Sequence, residues 1–465
     1  MIKRETTGAV LPPEPVPAAI CNPTSGTDNM ANESMQHLDE VGSARRGEKF
    51  YGWRVVAGAF TVAVFGWGTG FYGPPVYLEF VHQSHGWPIA LISGAMTLHF
   101  LVGLIVIPNL PAIYRRFGLR TVTFVGSVVM AMGVLGWALA NAPWQLYAAA
   151  LLSGTGWSTL GAVAINAIVA PWFVTKRHMA LGVAFNGGSV GGVIFSPFWV
   201  ALIDKIGFPA AALVIGVVMI VTLGVLAATV LGRTPESLGQ APDGKSFDRP
   251  VSPVGTSSKT FSQADQADLF KDRAFLTLCS GMTLALFAQT GIVAHLVSVL
   301  SPTLGTQGAG LAAGASGVAA VIGRLIVGWR ASGTSNWRVI ASLSLLAQAV
   351  GCGILILAAG TSSALLILGV VLFGLGVGNA ISVPPVIANL ELSSGNAPRA
   401  VALIVAISQG AYAIAPAVFG LLRQIWSNDV VFLTAVLIQL LAIAAYLGGI
   451  RVGAQNRDRG TLGRP

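Results

Sequence analysis

Charge is what this sequence has least of. Only 10% of its 465 residues are Asp, Glu, Lys or Arg, against about 25% in soluble globular proteins. With 54% of the chain hydrophobic, a soluble fold of this length is excluded for want of polar surface. Cysteine is also scarce. Cys21, Cys279 and Cys352 are far apart and in unlike contexts, which excludes a disulfide framework and a metal-ligand spacing. There is no GxxxxGK[ST] loop, so ATP does not drive the protein directly, and no nucleophile–base set or metal cluster is legible. The chain reads as a non-enzyme without cofactors. No apolar run follows Lys3 and Arg4, so the start is not a signal peptide. Acids are missing from the middle of every apolar segment; Glu79 and Glu391 stand only at segment edges.

What is there is apolar length. Uncharged runs of 18 or more residues recur, each long enough to cross a bilayer as a helix. Twelve spans are expected near 53–78, 90–110, 119–141, 144–170, 179–203, 208–231, 274–300, 308–330, 338–359, 363–391, 399–423 and 429–451. Residues 1–50 are rich in Pro, Ser, Asn and charge and read as a disordered tail. Six spans fill 51–231. A polar stretch at 232–272, containing "PESLGQAPDGKSFDRPVSPVGTSSK", reads as a flexible linker. Six more spans fill 273–451, and 452–465 forms a second tail. If both termini are cytoplasmic, all but three of the 27 Lys and Arg fall on the inner side, the exceptions being Lys205, Arg324 and Arg423. That bias sets the orientation in an inner (plasma) membrane. It also accounts for the net charge of +9 without nucleic acid as a partner.

The halves echo each other. "SGTGWSTLGAVAINAIVAPWF" in the fourth span parallels "FGLGVGNAISVPPVIANLEL" in the tenth, and each precedes a basic loop and a small-residue helix. Two six-helix repeats around a central linker are a transporter architecture with its site near the midplane. Spans 3, 6, 9 and 12 are poor in polar residues and are expected at the periphery. "GPP" at 73–75 and "VPP" at 383–385 should bend the first and tenth helices.

"YGWRVVAGAF", "RHMALGVAFNGGSVGG" and "AHLVSVLSPTLG" with "GASGVAAVIGRLIVGW" resemble the major facilitator superfamily over roughly residues 50–450. Within it they are similar to the monocarboxylate transporter and oxalate/formate antiporter branch. The resemblance implies twelve helices in two pseudo-symmetric bundles, and alternating access between them. It also assigns "PAIYRRFGLR" to a cytoplasmic gate motif through Arg115, Arg116, Gly118 and Arg120, with Arg115 where the family usually has an aspartate. The aspartate that accompanies the helix 8 arginine in mammalian-type carriers is replaced by Ala320, and the lysine they hold near the outer end of helix 1 is absent.

One arginine, Arg324, interrupts the apolar run "VAAVIGRLIVGW". Such a charge costs about 2.5–3.5 kcal/mol at a helix centre on insertion scales. Its planar fork of donors suits a carboxylate. With no buried acid to pair it, the substrate's anion is the expected counter-charge. The competing readings are a brace in the gate and snorkelling to the nearby inner end. Tyr72, His295, Asn186, Asn379, Gln409 and Tyr412 are candidate hydrogen-bonding groups around that anion, each also suited to helix packing. His99 is the candidate proton carrier, with a neutral packing histidine as the alternative. His82 and His85 are expected in a solvated outer loop. The expected function is secondary active transport of a small organic anion by a monomer in the lipid bilayer, coupled to a proton or to an exchanged anion. Efflux of hydrophobic compounds is the alternative in the same class, and a non-transporting membrane sensor the alternative outside it.

Overall fold

The computed structural model describes residues 50–244, 269–330, 336–358, 362–392 and 396–450. The tail expected at 1–50 lies outside them except for Phe50, as do the middle of the expected linker and the tail at 452–465. Ten helical stretches are long and apolar enough to cross a membrane. Two of them contain a glycine with positive φ that reverses the chain, Gly118 (φ 79°) and Gly305 (φ 69°). Only a residue without Cβ adopts that conformation readily. Divided there, the described residues give twelve spans: α1 (52–85), α2 (89–117), α3 (119–139), α4 (143–169), α5 (177–206), α6 (208–229), α7 (273–304), α8 (306–330), α9 (337–358), α10 (363–391), α11 (397–425) and α12 (428–448).

Glycines set the helix spacing within each bundle. A Cβ on Gly187 of α5 would lie 2.2 Å from the Phe60 carbonyl of α1, and one on Gly323 of α8 would lie 1.9 Å from the Leu375 carbonyl of α10. Backbones that close require small residues at the contact. The two bundles join along α5 with α8 and α2 with α11, and α1 also meets α7. Helices 3, 6, 9 and 12 present Met132, Val221, Leu343 and Leu441 outward, each more than half exposed, so they form the periphery. Helix α12, expected to be poor in polar residues, still places one of them at a packing contact. Gln439 is fully buried and joins Gln348 of α9 and Gln289 of α7 in a ladder of amides. Polar side chains this deep are kept by bonding one another.

Three expectations change. Helix α1 runs on to His85, so His82 and His85 sit in its last turn rather than in a loop. Gly86 (φ 63°) ends it, and His82 Nδ1 bonds the Trp87 carbonyl at 2.8 Å. The interruption of α10 falls at Gly378, between the helical pieces Ser363–Val377 and Asn379–Glu391, and the second piece runs on through Pro384 and Pro385. Its counterpart in α4 falls at Gly161. The start of the linker is docked rather than free. Asp243 accepts backbone hydrogen bonds from Val174, Thr175 and Lys176 at 3.2, 2.7 and 3.1 Å, and Gln240 accepts one from Tyr51.

Candidate substrate site

The site begins where α1 breaks. Pro74 and Pro75 have no N–H to offer the preceding turn, and the chain turns at Phe71 and Tyr72 between two helical pieces. The carbonyls around the break are taken up by side chains. Trp199 Nε1 donates to Gly68, the Tyr77 hydroxyl to Thr69, and His99 Nε2 to Gly70, at 3.3, 3.1 and 2.9 Å. A carbonyl only accepts, so Nε2 carries the proton and Nδ1 accepts from Ser153 Oγ at 2.8 Å. Trp137 Nε1 closes the chain by donating to Ser153 Oγ. His99 is fully buried with both ring nitrogens occupied. Both of its hydrogen bonds tie it to the break and to α4.

Arg324 reaches across the bundle interface from α8. Its Nη1 donates to Asn186 Oδ1 at 3.4 Å, and its Nη2 bonds Ser189 Oγ, both on α5. Its Nε is buried without a partner, against Gly378, where any Cβ would lie 2.5 Å from that nitrogen. The small-residue face of α8 is filled by α5, not empty. Gly310, Gly314 and Gly317 pack on Val200, Pro197 and Val193. Only below Arg324 does the face open, since Gly328 has nothing near its Cβ position. Tyr72 stands on the other side of this junction, its ring against Gly192 and within electrostatic reach of Arg324. The structure therefore gathers Arg324, Tyr72 and Asn186, and adds Ser189 and Gly378, which sequence reasoning missed. Ser189 lies three residues after Asn186 on the same helical face, so the spacing carried the signal.

None of the other candidates has a described hydrogen bond to Arg324. Asn379 is buried inside the second bundle, donating to Ser344 Oγ at 3.1 Å. Tyr412 meets Phe100 edge-on across the bundles. Gln409 is half-buried one turn before Ala413 on α11. His295 is buried at the other end of the interface, bonding the Pro416 carbonyl at 3.1 Å. Arg423 nearby holds Ser298 and Asn428. Arg115, Arg116 and Arg120 are exposed. The cross-bundle hydrogen bonds among the described residues run from Ala90–Gln424 and Thr306–Asp204 through Thr97–Ala417 to Arg324. These described cross-bundle hydrogen bonds lie at Arg324 or on the side of it away from Tyr51.

The model of the Major Facilitator Superfamily matches residues 58–397. The chain belongs to this superfamily. It is a multi-pass membrane protein of a transporter family. It is 28% identical to mouse monocarboxylate transporter 11 over 289 residues, 60% of this chain and 59% of that protein. It is 26% identical to the MFS transporter asaE of Aspergillus flavus over 72% of this chain and 71% of that protein. The matched segment thus spans less than two thirds of the mouse relative. Among solved structures, a bacterial homolog of the human lysosomal transporter Spinster superposes with a TM-score of 0.68 at 14% identity, covering 88% of this chain and 99% of that one. The nucleoside transporter NupG gives 0.66 at 13%, covering 86% and 99%. At such identities the likeness is one of fold.

Proposed function

We propose that the protein is a secondary transporter of a small organic carboxylate, working by alternating access as a monomer in the plasma membrane with both termini cytoplasmic. The observation that carries this reading is Arg324. It is a half-buried guanidinium at the bundle interface, held only by the neutral groups Asn186 and Ser189. Among the described residues it faces no carboxylate. A charge at membrane depth without a counter-ion is costly, and an anionic substrate completes it. Tyr72 and Asn186 supply hydrogen bonds beside it. The described cross-bundle bonds lie away from Tyr51 and Gly328 has open space beside it, which supports entry to Arg324 from the Tyr51 side. Coupling runs through the substrate itself, as an exchanged anion or with a proton bound to it, since His99 is committed to the α1 break.

The test is uptake of a panel of labelled carboxylates into proteoliposomes by wild type, Arg324→Lys and Arg324→Gln. Loss of a wild-type flux in both folded variants supports the reading. Normal flux in Arg324→Gln makes the arginine a brace. Efflux of hydrophobic compounds is a second reading. It is favoured by the aromatic residues around the site and by a relative named as the fujikurins efflux protein of Gibberella fujikuroi, 29% identical over 214 residues, 44% of each chain.

A further inference from the structure

A continuous run of aromatic rings adjoins Arg324 and Tyr72. Trp67 meets Trp157 at 5.0 Å and Phe185 at 6.2 Å between centroids. One turn on, Phe71 meets Tyr72 at 5.1 Å, Phe100 at 6.0 Å and Trp157 at 6.4 Å. Phe100 in turn meets Tyr412 of the other bundle at 5.8 Å. Phe71 and Phe100 also line a small cavity with Thr290 and Val293 of α7. The run therefore leads from Tyr72, the neighbour of Arg324, across the bundle interface to Tyr412. Trp67, Phe71, Phe185 and Tyr412 are each left only partly covered. Trp67 stands nearly perpendicular to both Trp157 and Phe185, so faces and edges alternate along the wall, the arrangement that accepts a further ring.

Three other basic groups are already engaged. Arg338 is paired with Glu391, and Arg423 is held by Ser298 and Asn428 at the far end. His99 has both nitrogens engaged. A second carboxylate beside Arg324 would find no cation among these groups. We infer that the substrate is an aromatic or comparably broad apolar monocarboxylate, its carboxylate on Arg324 and its body against Trp67 and Phe71. This rests on Arg324 as the anion contact. It unites the two readings above, because such a substrate is both an anion and hydrophobic.

The test is competitive uptake in proteoliposomes of indole-3-acetate, phenylpyruvate, pyruvate, succinate and the neutral indole-3-acetamide. The expected KM for the two aromatic acids is about tenfold or more below that for pyruvate, the scale of burying one ring against aromatic partners. Trp67→Leu and Phe71→Leu should erase most of that preference, read as the ratio of phenylpyruvate to pyruvate kcat/KM within each variant, whatever their effect on total flux. Trp67→Phe, which keeps a ring, should retain it and serves as the folding control. Equal KM values for phenylpyruvate and pyruvate, preferred transport of succinate, or an unchanged preference in both Leu variants would each overturn the inference while leaving the role of Arg324 intact. Transport of indole-3-acetamide as fast as the acid, with Arg324→Gln active, overturns the anion reading itself and this inference with it.

Discussion

Replacing Glu391 by glutamine should destabilise the second bundle sharply, because Arg338 is buried with almost no other charge to balance it. The Arg338 side chain has no exposed surface and that of Glu391 only 8%. Three of the guanidinium's six hydrogen bonds go to the carboxylate, at 3.0, 3.0 and 2.8 Å. The others go to Thr277, the Tyr446 carbonyl and the Ala274 carbonyl, so this one side chain ties α7, α9, α10 and α12 together. Breaking a buried pair from one side costs about 3–5 kcal/mol. The three neutral acceptors that remain place Glu391→Gln near 3 kcal/mol. At roughly 3 °C per kcal/mol for a domain of about 200 residues, the unfolding midpoint falls by about 9 °C. Cys279 and Cys352 are free and buried, so a thiol-reactive dye reports the transition once Cys21→Ser removes the third thiol. The double variant Arg338→Met/Glu391→Leu should recover most of the loss, since an apolar pair leaves no bare charge. An unchanged midpoint in Glu391→Gln, or a double variant no better than the single, would refute the argument.

Other outcomes follow from the same geometry. Gly323→Ala should lower the unfolding midpoint and impair transport, because its Cβ would collide with the Leu375 carbonyl, whereas Gly182→Ala, facing open space, should match wild type. His99→Gln should lower the midpoint but leave the pH profile of uptake unchanged; a lost pH dependence would instead make His99 the proton carrier. Partial burial pushes the Asp243 carboxyl up, but its hydrogen bonds from Thr175, Lys176 and Val174 outweigh this and hold it below the usual range. Its contribution is therefore complete above the ordinary carboxylate pKa of about 3.9 and is lost only as pH falls through its lower folded value. Hydrogen exchange at Val174–Lys176, corrected for the intrinsic pH dependence of amide exchange, should be unchanged between pH 7 and 5 in wild type. In Asp243→Ala it should be about fivefold faster, as for a lost helix cap of about 1 kcal/mol.

Hydropathy made the architecture legible, because a bilayer demands long apolar helices and little else competes with that signal. Polar residues misled it at helix ends. His82 and His85 read as a loop, yet α1 continues beneath them, and Glu79 at the segment edge is buried with Gln83 donating to it. Arg338 counted only as one more inner-side charge, since no periodicity says that a cation at a helix start has three further helices closing over it. At the site, Arg324 was legible as an anomalous charge, and Tyr72 and Asn186 as its company. Ser189 went unmarked only because serine is common among small residues. Asn379 and His295 were legible as polar but not in direction, because a one-residue rotation about a helix decides whether a side chain faces the path or the bundle interior.

The central claim is that Arg324 binds the substrate's carboxylate. It is tested most directly by a cycle crossing one transported acid and its neutral amide with wild type and Arg324→Gln, with affinities from titration calorimetry on the purified protein. A coupling energy of about 1.5 kcal/mol or more, the range found for close charge pairs, is the predicted result. A coupling near zero, with acid and amide losing affinity alike, would contradict the account.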